Sequence, residues 1–142
     1  MSGADSSGYS GKPVWQKLGL KPGARVYVRG APADYVEMIA AQALDLQLAG
    51  ARGAFEFAHV FATSAAQLRE EIEALAQRLP AAAMLWVSWP KKSAKLGSDI
   101  VEGTIRTIAL PLGLVDVKVC AIDATWSGLK LVWRREVRAG KA

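Results

Sequence analysis

The sequence is poor in the residues that catalysis and metal binding most often use. It contains one cysteine, Cys120, and one histidine, His59, in 142 residues. A single cysteine excludes an internal disulfide framework and a cysteine-based zinc site. Both residues lie within predicted strands, which favours buried structural roles, because a general base needs a hydrogen-bonding partner and no partner for His59 is apparent. We therefore predict no catalytic residue and no metal site.

Long apolar runs are also missing. Hydrophobic residues make up 51% of the chain, yet no uninterrupted apolar stretch approaches the roughly 18 residues that span a bilayer. Residues 1–12 are rich in glycine and serine and lack the apolar core of an export signal. These features predict a cytoplasmic protein without a membrane partner. We expect a flexible N-terminal tail over residues 1–12, a single α/β domain over residues 13–136 and a basic C-terminal tail over residues 137–142.

Cofactor-binding loops are absent as well. A dinucleotide-binding turn needs G-x-G-x-x-G between a strand and a helix, with an acidic residue about 20 positions further on. Here the turn after the first predicted strand is Gly30, Ala31 and Pro32, and the residue at that distance from Gly30 is Gly50. Pro32 has no amide hydrogen to donate. The sequence therefore predicts no cofactor and counts against a self-sufficient methyltransferase.

Positive charge is concentrated in the second part of the chain. The net charge is +5; residues 1–85 hold eight basic and eight acidic side chains, whereas residues 86–142 hold ten basic and five acidic ones. Part of the excess belongs to the C-terminal tail. The rest includes the cluster Lys91, Lys92 and Lys95, which lies between a predicted strand and a predicted helix.

Strands and helices alternate along most of the chain. Apolar and β-branched runs predict strands over residues 24–30, 54–62, 83–89, 115–122 and 129–135. Helical spacing of apolar residues and capping-box signals predict helices that begin near Asp34, after Ser64, and at Ser98 or Asp99. This order is typical of an α/β protein with a Rossmann-like open sheet of about five strands in two or three layers. The sheet is mostly parallel, its last strand is antiparallel, and three main helices cover it.

Two strand orders remain open. In the order one, two, three, five, four, all three helices lie on one face. The other face is then covered either by Trp15, Leu18 and Leu20 or by a second subunit in a homodimer. In the competing order, strand two lies on the other side of strand one, which places helices on both faces. Strand order then reverses, and a ligand crevice usually forms at such a reversal.

Two stretches carry a resemblance to a known family. WVSWPKKSAKLGSDI and LPLGLVDVKVCAIDATWSGLKLVWRRE resemble a bacterial family described as domain of unknown function 3052, and the likeness extends over about residues 9–135. The resemblance implies no activity. More distantly, the layout is similar to the C-terminal half of class I methyltransferases, a likeness of fold that carries no function by itself.

The strand order predicts one candidate site. The C-terminal ends of parallel strands share an edge, so the loops that follow them converge there. We predict a ligand site formed by Lys91, Lys92, Lys95, Ser98, Asp123, Trp126, Gly30 and Ser64. The lysines and the free amides of residues 97–99 at a helix start favour an anion, while Trp126 and Trp89 would stack on a flat group.

Structural roles are the alternative for each of these residues. Lysines before a helix are often only a solvated loop, and Asp99 would satisfy the helix amides itself. Asp123 would cap its own loop or pair with Lys91 or Lys92, and Trp126 would cover the core. Both interpretations stay open at this point.

Three functional classes follow. The first is a non-enzymatic ligand-binding or interaction domain with a degenerate methyltransferase-like fold. The second is an enzyme or binder that acts on a small anionic or nucleotide-like ligand at this edge. In one version of this prediction, a second subunit completes the site. The third, a nucleic-acid binder, is suggested by the pI of 9.6. We do not expect it, because the basic residues spread over strands and tail without an aromatic sheet motif.

Overall fold

The computed structural model describes residues 12–50 and 52–141, which form six strands and five α-helices. The strands are β1 (Arg25–Arg29), β2 (Gln47–Leu48), β3 (Phe57–Phe61), β4 (Met84–Pro90), β5 (Leu114–Ala121) and β6 (Trp126–Trp133). The helices are α1 (Val14–Leu18), α2 (Tyr35–Met38), α3 (Ala65–Ala76), α4 (Glu102–Ala109) and α5 (Arg135–Gly140). Short 3₁₀ turns occur at Gln42–Leu44, Lys92–Ala94 and Leu110–Leu112. The predicted N-terminal tail lies outside the described residues, except for Lys12.

The strands form one mixed sheet in the order β2-β1-β3-β4-β6-β5. The pairs β2–β1, β1–β3 and β3–β4 are parallel, and β6 is antiparallel to both of its neighbours, β4 and β5. The five predicted strands are therefore all present, in the order one, two, three, five, four, with the last strand antiparallel. Strand β3 is buried along its whole length. This burial on both faces explains its nearly continuous apolar sequence.

The edge strand β2 was not predicted, and it changes the topology. The chain leaves β1, forms β2 beside it, and then returns to form β3 on the opposite side of β1. Strand order therefore reverses at β1. The sequence predicts such a reversal only for the competing strand order. The structure has the other strand order, and the reversal arises because β2 is added beside β1.

Helices cover both faces of the sheet, which corrects the prediction of one helical face for this strand order. Helices α3 and α4 pack on one face against side chains such as Val60, Val87 and Leu131. The α1 and α2 segments pack on the other face, where Phe57 and Trp86 point. A right-handed crossover from β1 to β2 runs in the opposite direction from the crossover between β3 and β4, so the two crossing helices lie on opposite faces.

The second face is covered by the chain itself. Leu18, Leu20 and the partly buried Trp15 belong to its apolar cluster. The indole Nε1–H of Trp86 donates to the Leu18 carbonyl over 2.9 Å. The segment before β1 therefore supplies the cover, as one of the two alternatives predicted. The homodimer stays a prediction, and no uncovered face of the sheet requires it among the described residues.

Helix α2 is much shorter than its sequence pattern predicts. In the sequence, Val36, Ile39, Ala40, Ala43 and Leu44 repeat at helical spacing and predict a helix that continues to Leu44. In the structure the helix ends at Met38 and only a 3₁₀ turn follows. The backbone of Ala40 is left-handed, with φ of 59°, which stops the helix. Asp34, predicted to cap it, makes no side-chain capping hydrogen bond.

The C-terminal segment is helical where a tail was predicted. Residues Arg135–Gly140 form α5, and the Lys141 ammonium lies 4.1 Å from the centre of the Trp133 ring. Trp133 is buried and its Nε1–H donates to the Leu79 carbonyl, so it belongs to the core. Within the described residues, no helix is long and apolar enough to cross a membrane.

Candidate functional site

The loop after β4 and the loop after β5 are in direct contact. Pro90 pairs with Trp126, and the Lys91 N–H donates to the Thr125 carbonyl over 2.8 Å. The antiparallel pairing of β4 with β6 enforces this contact, because the end of one strand meets the start of the other. The lysine-bearing turn and the tryptophan-bearing turn are therefore neighbours at one edge of the sheet, as the sequence predicts.

A cleft of about 290 Å³ lies in the loop between β4 and α4. We call it the basic cleft and define it by its lining: Pro90, Lys91, Lys92, Lys95, Leu96, Gly97, Ser98, Asp99, Ile100 and Val101. Four of the eight predicted site residues, Lys91, Lys92, Lys95 and Ser98, line it together. Lys91 is half-buried, whereas Lys92 and Lys95 are exposed at the rim.

The loop that forms the basic cleft is shaped by left-handed residues. After the 3₁₀ turn Lys92–Ala94, Lys95 has φ of 55° and Gly97 has φ of 73°. A lysine in this region of backbone space is uncommon and costs about 1 kcal/mol or more. The chain therefore places a charged side chain at a position where glycine would be less strained.

Helix α4 begins later than predicted, which removes one element of the proposed anion site. Its first residue is Glu102 and its N-cap is Val101, whose N–H donates to Thr104 Oγ1 over 3.2 Å. The amides of residues 97–99 precede the helix and do not belong to its first turn. The side chain of Ser98 accepts from the Ile100 N–H over 3.0 Å.

Asp99 binds a different helix from the one it was predicted to cap. Its Oδ1 accepts from the Ala65 N–H over 2.7 Å, at the start of α3. Ser64 is the N-cap of the same helix, and its Oγ accepts from the Gln67 N–H over 3.2 Å. The bond from Asp99 ties the cleft loop to α3. Ser64 does not line the basic cleft, and its hydroxyl has a structural role as the cap of α3.

Asp123 and Trp126 also have structural contacts. Asp123 Oδ1 accepts from the backbone N–H groups of Thr125 and Trp126, each over 2.8 Å, so it caps its own turn. The partly buried ring of Trp126 packs edge-on against Phe61 at 5.1 Å between centroids. Trp89 is buried on the opposite face of the sheet, beneath α3 and α4. The two indoles therefore do not stack on one ligand, which corrects that expectation.

Gly30 lies beside a second cavity, at the reversal of strand order. This β1 crevice has a volume of about 490 Å³ and is lined by Val28, Gly30, Ala31, Pro32, Ala33, Tyr35, Val36, Glu37 and Leu48. The φ of Gly30 is 73°, and a Cβ at this position would lie 2.5 Å from the Phe61 carbonyl oxygen. Gly30 is required for the close approach of β1 to β3. Of the eight predicted site residues, four therefore line the basic cleft, Gly30 lines the β1 crevice, and Ser64, Asp123 and Trp126 line neither cavity.

His59 has two hydrogen-bonding partners that the sequence did not reveal. Its Nδ1 lies 2.9 Å from the Tyr35 hydroxyl and its Nε2 lies 2.8 Å from Ser88 Oγ. His59 and Ser88 are completely buried. Burial lowers the pKa of His59 to about 3 and raises the pKa of the Tyr35 phenol. A serine within the apolar run of β4 was the one available signal for this network.

Other reactive groups are few. Cys120 is half-buried on the edge strand β5 rather than fully buried, and burial raises the pKa of its thiol. Among residues 12–50 and 52–141, no cluster of three or more histidine, cysteine, aspartate or glutamate side chains has a geometry suited to a metal ion.

The fold of the chain is similar to that of known structures. The chain has a methyltransferase-like fold. It is similar to ribosomal protein L11 methylase from Lactobacillus delbrueckii subsp. bulgaricus, with a TM-score of 0.59 and 14% identity over 84% of this chain and 74% of that chain. It is also similar to a SAM dependent methyltransferase from Aquifex aeolicus, with a TM-score of 0.53 and 14% identity over 83% of this chain and 86% of that chain.

A third similar structure was determined with a ligand. Aeropyrum pernix fibrillarin, in complex with natively bound S-adenosyl-L-methionine, has a TM-score of 0.52 and 12% identity over 84% of this chain and 73% of that chain. At these identities the likeness is one of fold. No family model matches the chain, so the resemblance to domain of unknown function 3052 stays a prediction. No curated protein matches it either.

Proposed function

We propose that this protein is a non-enzymatic ligand-binding domain on a degenerate methyltransferase-like fold, and that it holds a small anion in the basic cleft. The observation that carries the proposal is the environment of Lys91, Lys92 and Lys95. All three line one cleft, and among the described residues none of them forms an ion pair. An anion that enters the cleft supplies the missing counter-charge.

The nearby carboxylates support this proposal by facing other partners. Asp99 lines the cleft, but one of its oxygens accepts from the Ala65 N–H at the positive end of α3. Asp123 is held by the amides of its own turn. Neither pairs with the three lysines. The local charge therefore stays positive, which attracts anions and weakens as salt increases.

The pKa and the burial of His59 favour binding without turnover. A general base needs a pKa near the working pH and access to the substrate. His59 has a pKa of about 3 and is completely buried with both nitrogens engaged. Its distance from solvent supports a structural role. We therefore assign the basic cleft to binding.

Methyl transfer is the second candidate, and the fold neighbours are the observation in its favour. In such an enzyme the β1 crevice would hold the methyl donor, since it lies at the reversal of strand order. The chain's own residues argue against it. The turn after β1 has one glycine and a proline, and the residues at the end of β2 are Leu48, Ala49 and Gly50, none of them acidic.

A melting-temperature screen tests the proposal. We expect phosphate and small carboxylates at about ten times their Kd to stabilise the fold by about 1.4 kcal/mol, which raises the Tm by about 3–5 °C. The double variant Lys91→Ala with Lys92→Ala should lose this shift. The control is the double variant Lys21→Ala with Arg52→Ala. It also removes two positive charges, but before the starts of β1 and β3, at the opposite end of the parallel strands, and it should keep the Tm shift.

The outcomes separate the candidates. No shift with any anion, or an equal loss in both double variants, would refute a site in the basic cleft. A shift with S-adenosylmethionine that survives Lys91→Ala with Lys92→Ala would favour the methyltransferase. The same screen therefore decides between the two candidate functions.

A further inference from the structure

The lining of the basic cleft includes apolar side chains as well as three lysines. Four of its lining residues are Pro90, Leu96, Ile100 and Val101. Leu96 and Val101 are 52% and 49% exposed. Exposed aliphatic side chains are ordinary when they are scattered, but here two of them line one concave surface beside three lysines. Such a surface leaves both apolar area and positive charge without a partner.

We propose that the ligand of the basic cleft is an amphiphilic small anion, in which a carboxylate or phosphate is attached to a short apolar chain or ring. This inference rests on the proposed function and specifies its ligand class. The anionic group meets the lysines, and the apolar body covers Leu96 and Val101. Small-molecule sites combine these features, with apolar walls and a few polar groups that fix orientation.

The size of the basic cleft sets an upper limit on the ligand. Its volume of about 290 Å³ lies just below the range of small-molecule sites, which occupy roughly 300–1,000 Å³. A short-chain or single-ring anion fits this volume. A folded protein surface or a nucleic-acid strand would contact the lysines without filling the cleft.

Ser98 adds a hydroxyl group to the lining of the cleft. Its Oγ accepts from the Ile100 N–H, and among the described residues no acceptor takes the hydroxyl hydrogen. That hydrogen is available to a ligand oxygen. Lys91 lines the same cleft, and its backbone N–H donates to the Thr125 carbonyl. The polar end of the ligand therefore contacts the lysines and Ser98, and its apolar end contacts Leu96 and Val101.

Calorimetric titration of the whole chain with a matched series tests this inference. The probes are inorganic phosphate, acetate, butanoate, hexanoate and the uncharged 1-hexanol. We expect Kd to fall about two- to fourfold for each added methylene, where fourfold corresponds to about 0.8 kcal/mol. Hexanol should not bind measurably, because it lacks the charge.

Matched variants locate the apolar contact. Leu96→Ser with Val101→Ser should abolish the dependence on chain length and keep acetate binding. The change Val101→Ser introduces a preferred N-cap residue, so α4 should stay folded. Leu48→Ser changes an exposed leucine, at 70% exposure, in the β1 crevice and should have no effect. A chain-length dependence that Leu48→Ser removes would contradict the inference.

The remaining outcomes distinguish this inference from the proposed function. Equal affinity for phosphate, acetate and hexanoate would overturn the amphiphilic ligand and leave an anion site in place. No binding of any anion would overturn the proposed function itself. Co-sedimentation with anionic phospholipid vesicles, without binding of monomeric hexanoate, would identify a membrane surface as the source of the anion and overturn a soluble ligand.

Discussion

The Tyr35 hydroxyl lies 2.9 Å from Nδ1 of His59, and both side chains are buried. This contact joins the one-turn helix α2 to the centre of the sheet. With Ser88 on the other ring nitrogen, it completes a polar network in an otherwise apolar cluster. Buried polar groups are stabilising only while each has its partner.

Tyr35→Phe should therefore lower stability. The change removes one hydroxyl and leaves Nδ1 of His59 buried without a partner, which costs about 1–3 kcal/mol. Urea denaturation should show a lower midpoint with an unchanged slope. Tyr27→Phe is the control, because Tyr27 is partly exposed and its hydroxyl makes no hydrogen bond among the described residues. A loss below about 0.5 kcal/mol in Tyr35→Phe would show that the network contributes little.

His59 predicts a specific pH dependence. Its pKa is about 3 in the folded protein, compared with 6.5 for the unperturbed side chain. As pH falls, the unfolded chain binds a proton at His59 before the folded chain does. The stabilisation that comes from neutral His59 in the folded state is therefore complete above pH 6.5 and is lost as pH falls from 6.5 to about 3. Between pH 6 and pH 5, the free energy of unfolding should fall by up to about 1.4 kcal/mol.

The matched variant for this experiment is His59→Gln, which keeps polar atoms at the position and does not titrate. Its stability should change much less over the same interval, since most carboxylates titrate at lower pH. Equal slopes for the two proteins between pH 6 and pH 5 would mean that His59 takes up its proton in the folded state.

Alanine substitutions at two glycines with the same φ angle allow backbone strain and steric clash to be measured separately. Gly30 and Gly97 both have φ of 73°, but a Cβ at Gly30 meets the Phe61 carbonyl oxygen at 2.5 Å, whereas a Cβ at Gly97 meets no atom within 4 Å. Gly97→Ala should cost about 1 kcal/mol from backbone strain alone. Gly30→Ala should cost clearly more, about 3 kcal/mol or above. Similar losses in thermal unfolding would contradict the close approach of β1 to β3.

Lys95→Gly should weaken anion binding with little effect on the stability of the fold. Glycine relieves the left-handed strain at φ of 55° but increases the entropy of the unfolded chain, so the net change should stay within about 1 kcal/mol. The affinity for small anions should fall, because one charge leaves the rim of the basic cleft. Titration of this variant with unchanged affinity would remove Lys95 from the site.

The elements that the sequence predicted well are those with strong local patterns. The apolar runs of β3 and β4 reflect burial in the middle of a sheet, and the Ser64 cap of α3 depends on residues three apart. Strand β2 has two residues and no periodicity, so no sequence pattern could reveal it. Asp99 was assigned to the wrong helix because its partner, Ala65, is 34 residues away in the chain.

The candidate site was predictable only in part, for a similar reason. Adjacent loops follow from strand order, and the contact of Lys91 with Thr125 bears this out. The separation of Gly30 from the lysines, and of Trp89 from Trp126, depends on which face each strand residue occupies and on the edge strand β2. These are properties of the assembled sheet, and no short segment encodes them.

Amide chemical-shift mapping by NMR, with hexanoate as the titrant, tests the basic cleft most directly. We expect the shifts to concentrate at Lys91, Lys92, Lys95, Leu96 and Ser98, and to disappear in the variant Lys91→Ala with Lys92→Ala. Shifts centred on Gly30 and Val36 would move the ligand to the β1 crevice. The absence of shifts at saturating hexanoate would contradict a ligand site in this loop.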